Sequence, residues 1–371
     1  MFNRLIPFLY ENKILTEAPN GFRKGKCLET AVQSFVEIIQ EALDKGIQVN
    51  ESFIDLTKAY DTLNHKVLLE KLSSYGIRGI ANLWFKSYLA NKRQCIEINQ
   101  SDSSNVTVHR YRSSCMEIKQ GVPQGLVLGP LLFLLYINDL PLNIHGENLV
   151  MFADDINVLI TDSDVCALQR KIDRMSAELE SWFNWNDLII NVSKTQVTSF
   201  HNRQSKFPVK PQVSFNKLSL ECTAETTFLG IHVTETLKWN SHVQSLANKL
   251  RKVSFMIKSS KGILSPYVIQ SVYFTKSQAL LWCGILSWVG IGGELNIRIF
   301  RIQKRMIRSM VGVSSRTSCR QFFKDLNILT LASLYILEET CFVRKYCQSL
   351  EQNSEVYKSM GELTLYNLCH S

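Results

Sequence analysis

The sequence predicts an α+β protein in which an antiparallel sheet is followed by a basic helical region. Residues 149–160 form two β-prone arms around a polar tip, which is the pattern of an antiparallel hairpin. Residues 164–187 instead repeat apolar side chains at helical spacing. From Lys238 onward the pattern is helical and basic: residues 241–371 hold 17 Lys and Arg against 7 Asp and Glu, whereas residues 1–240 hold 25 against 26. We therefore predict two domains, 1–240 and 241–371.

Local periodicity and turn residues predict each element of the first domain in turn. In order they are helices over 1–45 with a break at 19–21, a strand at 49–56, helices at 63–72 and 83–89, paired strands at 94–99 and 113–119 joined by a polar loop at 101–112, a turn at 121–130 leading into an apolar helix at 131–137, the hairpin at 149–160, the helix at 164–187, a strand at 195–200 and a hairpin-like stretch at 213–233.

Composition excludes several classes of protein. Of the 371 residues, 45% are apolar and 20% are charged, a globular balance rather than that of a disordered chain. No apolar run approaches the ~18 residues of a membrane span, and no signal peptide opens the chain. We expect no association with a membrane and an intracellular location, in either the nucleus or the cytoplasm. The net charge of +9 favours a polyanionic partner, and a generically basic soluble protein fits it equally well.

Acidic side chains fall where strands are predicted to end. Asp55 lies at the end of the strand 49–56, and Asp154 and Asp155 form the tip of the hairpin 149–160. Carboxylates brought together there would repel one another unless a cation lay between them, and hard oxygen ligands of this kind suit Mg²⁺. Two such ions about 3.5–4 Å apart can activate an attacking hydroxyl and stabilise a leaving pyrophosphate.

Each of these features also has a purely structural interpretation. An Asp-Asp pair at a turn is usually turn chemistry, and an Asp near the end of a strand often caps the next helix, as Asp61 could. The loop at 121–125, Gly-Val-Pro-Gln-Gly, could be a plain turn. Their order favours one shared site instead, because 99 residues separate Asp55 from Asp154 with the loop between them.

Several motifs resemble the successive palm motifs of a reverse transcriptase, most closely those of non-LTR (LINE-type, jockey-like) retrotransposons. They are Phe-Ile-Asp-Leu-Thr-Lys-Ala-Tyr-Asp-Thr-Leu-Asn-His at 53–65, Gly-Val-Pro-Gln-Gly at 121–125 with Leu-Gly-Pro at 128–130, and Phe-Ala-Asp-Asp at 152–155. Further matches lie at 21–23, 191–195, 228–231 and 237–239. The resemblance covers residues 4–240 and continues from 302–308 to 329–331.

The resemblance implies a right-hand polymerase. Residues 1–240 would form partial fingers and an α+β palm with an antiparallel sheet, and residues 241–371 a helical, basic, thumb-like region. The implied activity is that of an RNA-directed DNA polymerase, in which a primer 3′-hydroxyl attacks the α-phosphate of a dNTP and releases pyrophosphate. The cofactor would be two Mg²⁺ ions, with Mn²⁺ as an alternative. Partners would be an RNA template, a DNA primer and dNTPs, with the oligomeric state left open.

The same resemblance assigns roles in metal binding and catalysis. Asp55 and Asp154 would bind both metals, Asp155 would support the metal near the primer end, and the Leu56 carbonyl would complete one shell. Lys194 resembles the family's lysine near the pyrophosphate, where it could donate a proton; a solvated surface lysine is the alternative interpretation.

Nucleotide recognition is implied for four residues. Tyr60, beside Ala59, matches the family's aromatic steric gate, whose ring excludes a 2′-hydroxyl and so selects deoxynucleotides. The alternative for Tyr60 is a core aromatic beside a helix start. Gln124 would form hydrogen bonds with the incoming nucleotide and the template-side backbone. Gly125, which has no side chain, would let the protein backbone approach them closely.

Two segments are expected to contact nucleic acid. Residues 228–239 resemble the primer grip, with Leu229, Gly230 and Trp239 as contacts. In the second, four arginines share one helical stripe beside an apolar stripe of Ile299, Ile302, Met306 and Met310, so that one face packs while the other meets phosphates. These are Arg298, Arg301, Arg305 and Arg308. A merely solvated charged face is the alternative.

The sequence also departs from the family pattern. It begins inside the region where the fingers would already have started, without an endonuclease domain, so we expect an N-terminally truncated copy. Cys27-Leu28, Leu126 and Thr234 stand where the family usually has Ser-Thr, Ser and Asp. A catalytically inactive nucleic-acid-binding remnant is therefore the alternative function. An RNA-dependent RNA polymerase is disfavoured by Tyr60, and a group II intron maturase by the Phe-Ala-Asp-Asp context and the C-terminal matches.

Overall fold

The computed structural model describes residues 1–101, 108–123, 125–144, 148–202, 210–290 and 293–346. The chain divides into two compact units, Met1–His242 and Val243–Ser371. Helices and strands are mixed in the first unit, and the described part of the second unit is helical.

The first unit contains a set of short strands and seven described helices. Its helices are α1 (Phe2–Glu11), α2 (Leu28–Asp44), α3 (His65–Ser74), α4 (Ile80–Leu89), α5 (Leu128–Ile137), α6 (Leu140–Asn143) and α7 (Val165–Trp185). Its strands are β1 (Gln48–Ile54), β2 (Arg93–Gln94), β3 (Glu97–Ser101), β4 (Val108–Arg112), β5 (Met116–Glu117), β6 (Asn148–Phe152), β7 (Asp155–Asp162), β8 (Gln196–Phe200), β9 (Val213–Phe215), β10 (Leu218–Leu220), β11 (Cys222–Thr223), β12 (Glu225–Phe228) and β13 (Ile231–Thr234).

A five-stranded sheet with the order β11-β8-β1-β7-β6 forms the centre of this unit. Its neighbouring strands are antiparallel except for β11, which runs parallel to β8. The predicted α+β class with an antiparallel sheet is therefore confirmed, and so is the hairpin at 149–160. Strand β1 lies in the middle of the sheet, which places the residue that follows it, Asp55, beside the β6–β7 turn.

Both faces of the sheet are covered. Ile54 and Val158 belong to the main buried cluster, together with Ile172 of α7. On the opposite face, Phe35 of α2 packs against Phe200, with ring centroids 6.1 Å apart. Both faces of the central strands are therefore buried, although β1 itself contains several polar side chains.

Two sequence predictions need correction in this unit. Residues 94–99 and 113–119 do not form one ladder: β2 pairs with β5, and β3 pairs with β4, so that 108–112 is a strand within the predicted loop. The apolar helix begins at Leu128 rather than at 131. Proline is tolerated in the first turn of a helix because the N–H it lacks would have no partner there, and Pro130 occupies that turn.

The second unit is built from helices. They are α8 (Asn240–Ser260), which begins at the boundary, α9 (Pro266–Val272), a π-helical segment (Tyr273–Gln278), α10 (Ala279–Trp282), α11 (Ile285–Trp288), α12 (Gly293–Val311), α13 (Arg320–Asp325) and α14 (Leu331–Tyr346). Gln303 of α12 is fully buried, and its amide bonds to the Tyr273 hydroxyl (2.9 Å) and to the backbone of Leu329 and Leu331 (2.9 and 3.0 Å). Within the described parts of the chain, no helix is long and apolar enough to cross a bilayer.

Candidate active site

Asp55 is held at the end of β1 by a neighbouring segment of chain. Its carbonyl accepts a hydrogen bond from the Asn191 N–H (2.8 Å), and the Thr57 N–H donates to the Ile189 carbonyl (2.8 Å). Leu56 forms an isolated antiparallel bridge with Ile190 between these two bonds. In such a bridge the central residue's own carbonyl points away from the partner segment. The Leu56 carbonyl is therefore directed away from residues 189–191.

The β6–β7 hairpin carries the other two carboxylates. Phe152 pairs with Asp155, so that Ala153 and Asp154 form the two-residue turn and Asp155 begins β7. Ala153 has a φ of +55°, the left-handed conformation that tight hairpin turns require. Because Ile54 pairs with Ile156, the register brings the ends of β1 and β7 side by side. Asp55, Asp154 and Asp155 are thus brought to one edge of the sheet.

The electrostatics of this edge agree with that placement. Burial, together with the charges of Asp154 and Asp55, raises the pKa of Asp155 to about 6. Burial also raises the pKa of Tyr60, and again Asp154 and Asp155 contribute. The charges of Asp55 and Asp154 make ionisation of Asp155 costlier, so the site has negative charge that a cation would neutralise.

The donor set fits a hard divalent cation. In the part of the chain that the structure describes, no three His, Cys, Asp or Glu side chains lie close enough together to enclose a metal ion by themselves. Mg²⁺ in polymerase-type sites is held by one or two carboxylates plus waters and substrate phosphates, rather than by an all-protein cage. The carboxylates at the sheet edge and a backbone carbonyl are the groups that could form such a partial shell.

Lys194 lies beside Asp55. Its ammonium nitrogen is 3.8 Å from Oδ2 of Asp55, and the lysine side chain is 70% exposed while that of Asp55 is 26% exposed. A tight turn holds it there: the N–H groups of Lys194 and Thr195 both donate to the Asn191 carbonyl (3.0 and 2.9 Å). The Thr195 hydroxyl accepts from the Asp55 N–H (3.4 Å), which ties the turn to the end of β1.

Tyr60 is half-buried between the carboxylates and the loop at 121–125. Its ring packs against Phe133 of α5 with centroids 4.5 Å apart. Its carbonyl accepts from the Val122 N–H (2.8 Å). Gly121 has a φ of +85°, and a Cβ there would lie 2.6 Å from the Asp61 carbonyl oxygen. The loop therefore lies so close to the segment of Tyr60 and Asp61 that only a glycine fits at position 121.

The remaining nucleotide-binding predictions differ in what the structure says of them. Ala59 is buried at 3% exposure. Gly125 has a φ of +78°, with open space around it. Gln124 lies outside the described residues.

Comparison with known proteins identifies the family. The profile of the reverse transcriptase (RNA-dependent DNA polymerase) family matches residues 1–233, more than half of the chain. The chain belongs to this family.

Relatives of this chain are RNA-directed DNA polymerases of transposons and mobile elements, jockey among them, which confirms the predicted resemblance to non-LTR, jockey-like elements. The chain is 25% identical to the probable RNA-directed DNA polymerase from transposon BS of Drosophila melanogaster, covering 89% of this chain and 36% of that protein. It is 27% identical to the corresponding protein from transposon X-element, covering 88% and 35%. It is 25% identical to the polymerase from mobile element jockey of the same species, covering 88% and 35%. The chain spans about a third of the length of these curated relatives.

Among solved structures, apo telomerase from Candida tropicalis aligns with this chain at 13% identity and a TM-score of 0.37, covering 96% of this chain and 58% of that one.

The sequence motif matched Gly21 to the family but did not predict which part of the structure this glycine contacts. Residues 18–20 run along the edge strand β6, where the Asn20 N–H donates to the Met151 carbonyl (2.7 Å). A Cβ on Gly21 would lie 2.5 Å from the backbone nitrogen of Ala153. Gly21 therefore packs directly against the turn that carries Asp154. The signal available in the sequence was the glycine between a proline-containing break and an aromatic residue.

The segment that resembles the primer grip forms a second tight hairpin. Phe228 pairs with Ile231, so Leu229 and Gly230 form the turn with φ of +47° and +83°. Gly230 is exposed at this turn and Leu229 is half-buried. Trp239 is only 3% exposed, and its ring packs edge-on against His242 at 6.3 Å. The turn is thus exposed to solvent, whereas the Trp239 ring is buried.

The four arginines of α12 do not share one environment. Arg301 and Arg305 are exposed. Arg298 is half-buried and donates to the Gln244 side chain, and the Arg308 Nε donates to the Thr317 carbonyl (2.8 Å). The apolar stripe packs as predicted at Ile299, Ile302 and Met306, whereas Met310 is half-buried.

Proposed function

We propose that this chain acts as an RNA-directed DNA polymerase that transfers a nucleotide from a dNTP to a primer 3′-hydroxyl. The observation that carries the proposal is the meeting of Asp55, Asp154 and Asp155 at one edge of the sheet, beside Tyr60. The charges of Asp154 and Asp55 help to raise the pKa of Asp155, which supports a site that requires a cation. Membership of the reverse transcriptase family supports this reaction over other uses of a carboxylate cluster.

The carboxylates are proposed to hold the metal ions. Asp55 and Asp154 would bind both Mg²⁺ ions, or Mn²⁺ in their place, with Asp155 and the Leu56 carbonyl completing the protein's share of the shells. When bound, the ions supply charge stabilisation for the attacking hydroxyl and the leaving pyrophosphate. The pairing of residues 55–57 with 189–191 supports the role of Leu56, because it directs that carbonyl away from the protein partner.

Lys194 is proposed to protonate the leaving pyrophosphate. An ammonium group 3.8 Å from Asp55 carries a transferable proton, and its exposure leaves it accessible to a nucleotide. Its positive charge also offsets charge that builds up on the leaving group.

Tyr60 is proposed to select deoxynucleotides. Its ring is fixed by packing on Phe133, so it cannot move aside easily for a 2′-hydroxyl. Ala59, Gln124 and Gly125 would complete the nucleotide site. A cleft of about 650 Å³, lined among others by Lys92, Arg93 and Gly121, adjoins this loop and would offer a path for a template strand.

Template and primer are the proposed macromolecular partners. The turn at Leu229 and Gly230 would hold the primer end, with the buried Trp239 supporting the hairpin from behind. The exposed Arg301 and Arg305, together with the other arginines of α12, would contact backbone phosphates. In this proposal the second unit serves as the thumb-like region.

Primer extension on an RNA template with dNTPs and Mg²⁺ tests the proposal. We expect extension by the wild type and none by the variant with Asp154→Ala and Asp155→Ala. The variant with Asp44→Ala and Asp173→Ala removes two exposed carboxylates from helices and serves as the matched control. Equal incorporation by the site variant would refute the assigned site. Hybrid binding by the wild type without any extension would instead support the non-catalytic remnant.

A further inference from the structure

Two free cysteines lie across from each other in the ribbon of short strands between α4 and α5. Cys95 connects β2 to β3, and Cys115 immediately precedes β5. Gln94 pairs with Met116 in the β2–β5 ladder. Because residues next to such a pair are themselves neighbours across the ribbon, Cys95 and Cys115 come together although 20 residues separate them in sequence.

A β-bulge interrupts the pairing at the two cysteines. On the side of β3 and β4, the Ser113 N–H donates to the Ile96 carbonyl (2.9 Å). Between this bond and the β2–β5 ladder, a single residue, Cys95, faces two, Ser114 and Cys115. A bulge of this kind locally disrupts the ladder and redirects side chains. Both thiols are accessible there, since Cys115 is exposed and Cys95 is half-buried.

Arg112 and Cys115 both donate hydrogen bonds to the Cys95 sulfur. The Nε of Arg112 lies 2.9 Å from Sγ of Cys95. The bond from Arg112, together with that from the Cys115 thiol, lowers the pKa of Cys95, and donation to Cys95 raises the pKa of Cys115. The thiolate is the nucleophilic form of cysteine. The pair therefore consists of one activated sulfur and one thiol that keeps its proton beside it.

Two other exposed cysteines provide a contrast. Cys166 lies in the first turn of α7, and Cys341 lies in α14. Among the residues that the structure describes, neither of these thiols receives a hydrogen bond from an arginine or from a second cysteine. Exposure alone therefore does not distinguish Cys95, whereas its two hydrogen-bond donors do.

The positions of the two cysteines are compatible with a disulfide. Such a bond requires Cα atoms about 4.4–6.8 Å apart. Neighbouring residues across an antiparallel ribbon have Cα atoms about 4.5–5.5 Å apart. Since the thiols are already hydrogen-bonded to each other, only a local adjustment at the bulge is needed to join the sulfurs.

We propose that Cys95 and Cys115 are a peroxide-sensitive pair that forms a reversible disulfide. The Cys95 thiolate attacks one oxygen of hydrogen peroxide, the O–O bond breaks, and the other oxygen takes up a proton and leaves as water. Cys95 is then a sulfenic acid. The Cys115 sulfur attacks the Cys95 sulfur, the S–S bond forms, and the S–O bond breaks as the oxygen leaves as water with the Cys115 proton. In total, two thiols give two electrons and two protons to one peroxide, and a dithiol reductant reverses the change.

The pair adjoins the cleft that is proposed for the template strand. Arg93 and Gln94 of β2 line this cleft, and so does Ile118, which follows β5. A disulfide between Cys95 and Cys115 ties together the two strands that lead to these residues. This consequence for the cleft rests on the proposed function, whereas the reaction of the thiols does not.

Peptide mapping of the full chain tests the proposal. The reduced protein is exposed to hydrogen peroxide near neutral pH, and the remaining thiols are then blocked with iodoacetamide in denaturant. Trypsin separates the two cysteines into peptides 94–110 and 113–119. We expect mass spectrometry to find these two peptides joined as the main disulfide product, and dithiothreitol to release them.

Three results of this mapping would overturn the proposal. The first is the absence of the joined peptides after peroxide treatment. The second is an equal yield of disulfides through Cys166 or Cys341, which would show that exposure alone determines oxidation. The third is a disulfide between two chains instead of within one, which a non-reducing gel would show as a dimer.

The role of Arg112 is tested by the rate at which the disulfide forms at a fixed peroxide concentration. Arg112→Gln removes the donor to Cys95, and we expect the rate to fall by at least about threefold. Arg110→Gln is the matched control, because Arg110 is exposed on the same strand and lies near Glu97 (4.0 Å). The control should keep the wild-type rate. An unchanged rate in Arg112→Gln, or an equal fall in both variants, would refute activation by Arg112.

These readouts do not depend on polymerase activity. A wild type that forms the disulfide and does not extend a primer contradicts the proposed polymerase alone. A wild type that extends a primer and forms no disulfide contradicts the cysteine pair alone.

Discussion

The ammonium nitrogen of Lys194 lies 3.8 Å from a carboxylate oxygen of Asp55. The two residues meet because residues 189–191 run antiparallel to 55–57 and then turn back. An ion pair with a lysine this exposed adds little to stability. The consequence of the arrangement is therefore local: the proposed proton donor lies beside the carboxylates.

This relationship predicts that Lys194→Arg will not restore what Lys194→Ala removes. Arginine keeps the charge beside Asp55, but it does not release its proton near neutral pH. We expect both variants to lower the single-nucleotide incorporation rate, by about 10²-fold for loss of a general acid. Rapid-quench kinetics with saturating dNTP would measure the rate, with the exposed Lys217→Ala as control. Full activity of Lys194→Arg would show that charge alone matters.

The packing of Tyr60 predicts a change in sugar selectivity. Tyr60→Ala removes the ring that rests on Phe133 and opens space for a 2′-hydroxyl. We expect the preference for dNTP over rNTP, measured as a ratio of kcat/KM values, to fall at least tenfold. Tyr60→Phe keeps the ring and should retain the wild-type ratio. Loss of selectivity in Tyr60→Phe would assign discrimination to the hydroxyl instead.

The contact between Gly21 and Ala153 predicts that Gly21→Ala will displace the Asp154 turn. A Cβ at 2.5 Å from the Ala153 nitrogen forces backbone to shift, since the nearest atom is not the end of a flexible side chain. We expect a loss of about 1–3 kcal/mol in the free energy of unfolding. We also expect primer extension to fall at least tenfold, because the turn carries a proposed metal ligand. Gly293→Ala, where the added Cβ meets open space, is the control. Normal extension by Gly21→Ala would contradict this positioning role.

The buried carboxyl of Glu51 predicts a pH-dependent stability. Glu51 lies in the middle of β1 with no exposed surface, and neither carboxyl oxygen has a hydrogen-bond partner among the described residues. Burial raises its pKa from 4.5 to about 8. Because the folded state then binds the proton more tightly than the unfolded state, this contribution to stability is complete below pH 4.5 and is lost as pH rises towards 8.

Urea denaturation at pH 5 and pH 8 would measure this effect. We expect the urea midpoint of the wild type to be lower at pH 8 than at pH 5. The midpoint of Glu51→Gln, which cannot ionise, should differ much less between the two pH values. Glu37→Gln, on the exposed side of α2, is the control and should behave as the wild type does. Equal pH dependence of the wild type and Glu51→Gln would show that the carboxyl is not the titrating group.

Periodicity in the sequence predicted those helices and strands that bury one face along their whole length. The hairpin at 149–160 and the helix at 164–187 were predicted to within a few residues, because each buries a continuous face. The segment from 94 to 119 was predicted less well. Its strands are short and largely exposed where described, so no buried face specifies their register.

The same limit applied to side chains whose role depends on distant partners. Gln303 interrupts the apolar stripe of α12, yet it is buried because Tyr273, Leu329 and Leu331 satisfy its amide. Arg298 shares a stripe with Arg301, but its partner is Gln244. Sequence spacing describes the helix that carries a residue and not the elements that pack against it.

The sequence by itself determined the chemistry of this protein: the order of its acidic motifs, the family they belong to, and the charge difference between residues 1–240 and 241–371. Only the tertiary structure decided which groups meet. It brought Lys194 to Asp55, placed Gly21 against Ala153 and buried Trp239. The physical reason is that motifs are local in the chain, whereas distances between them follow from strand register and packing, which depend on residues far apart in sequence.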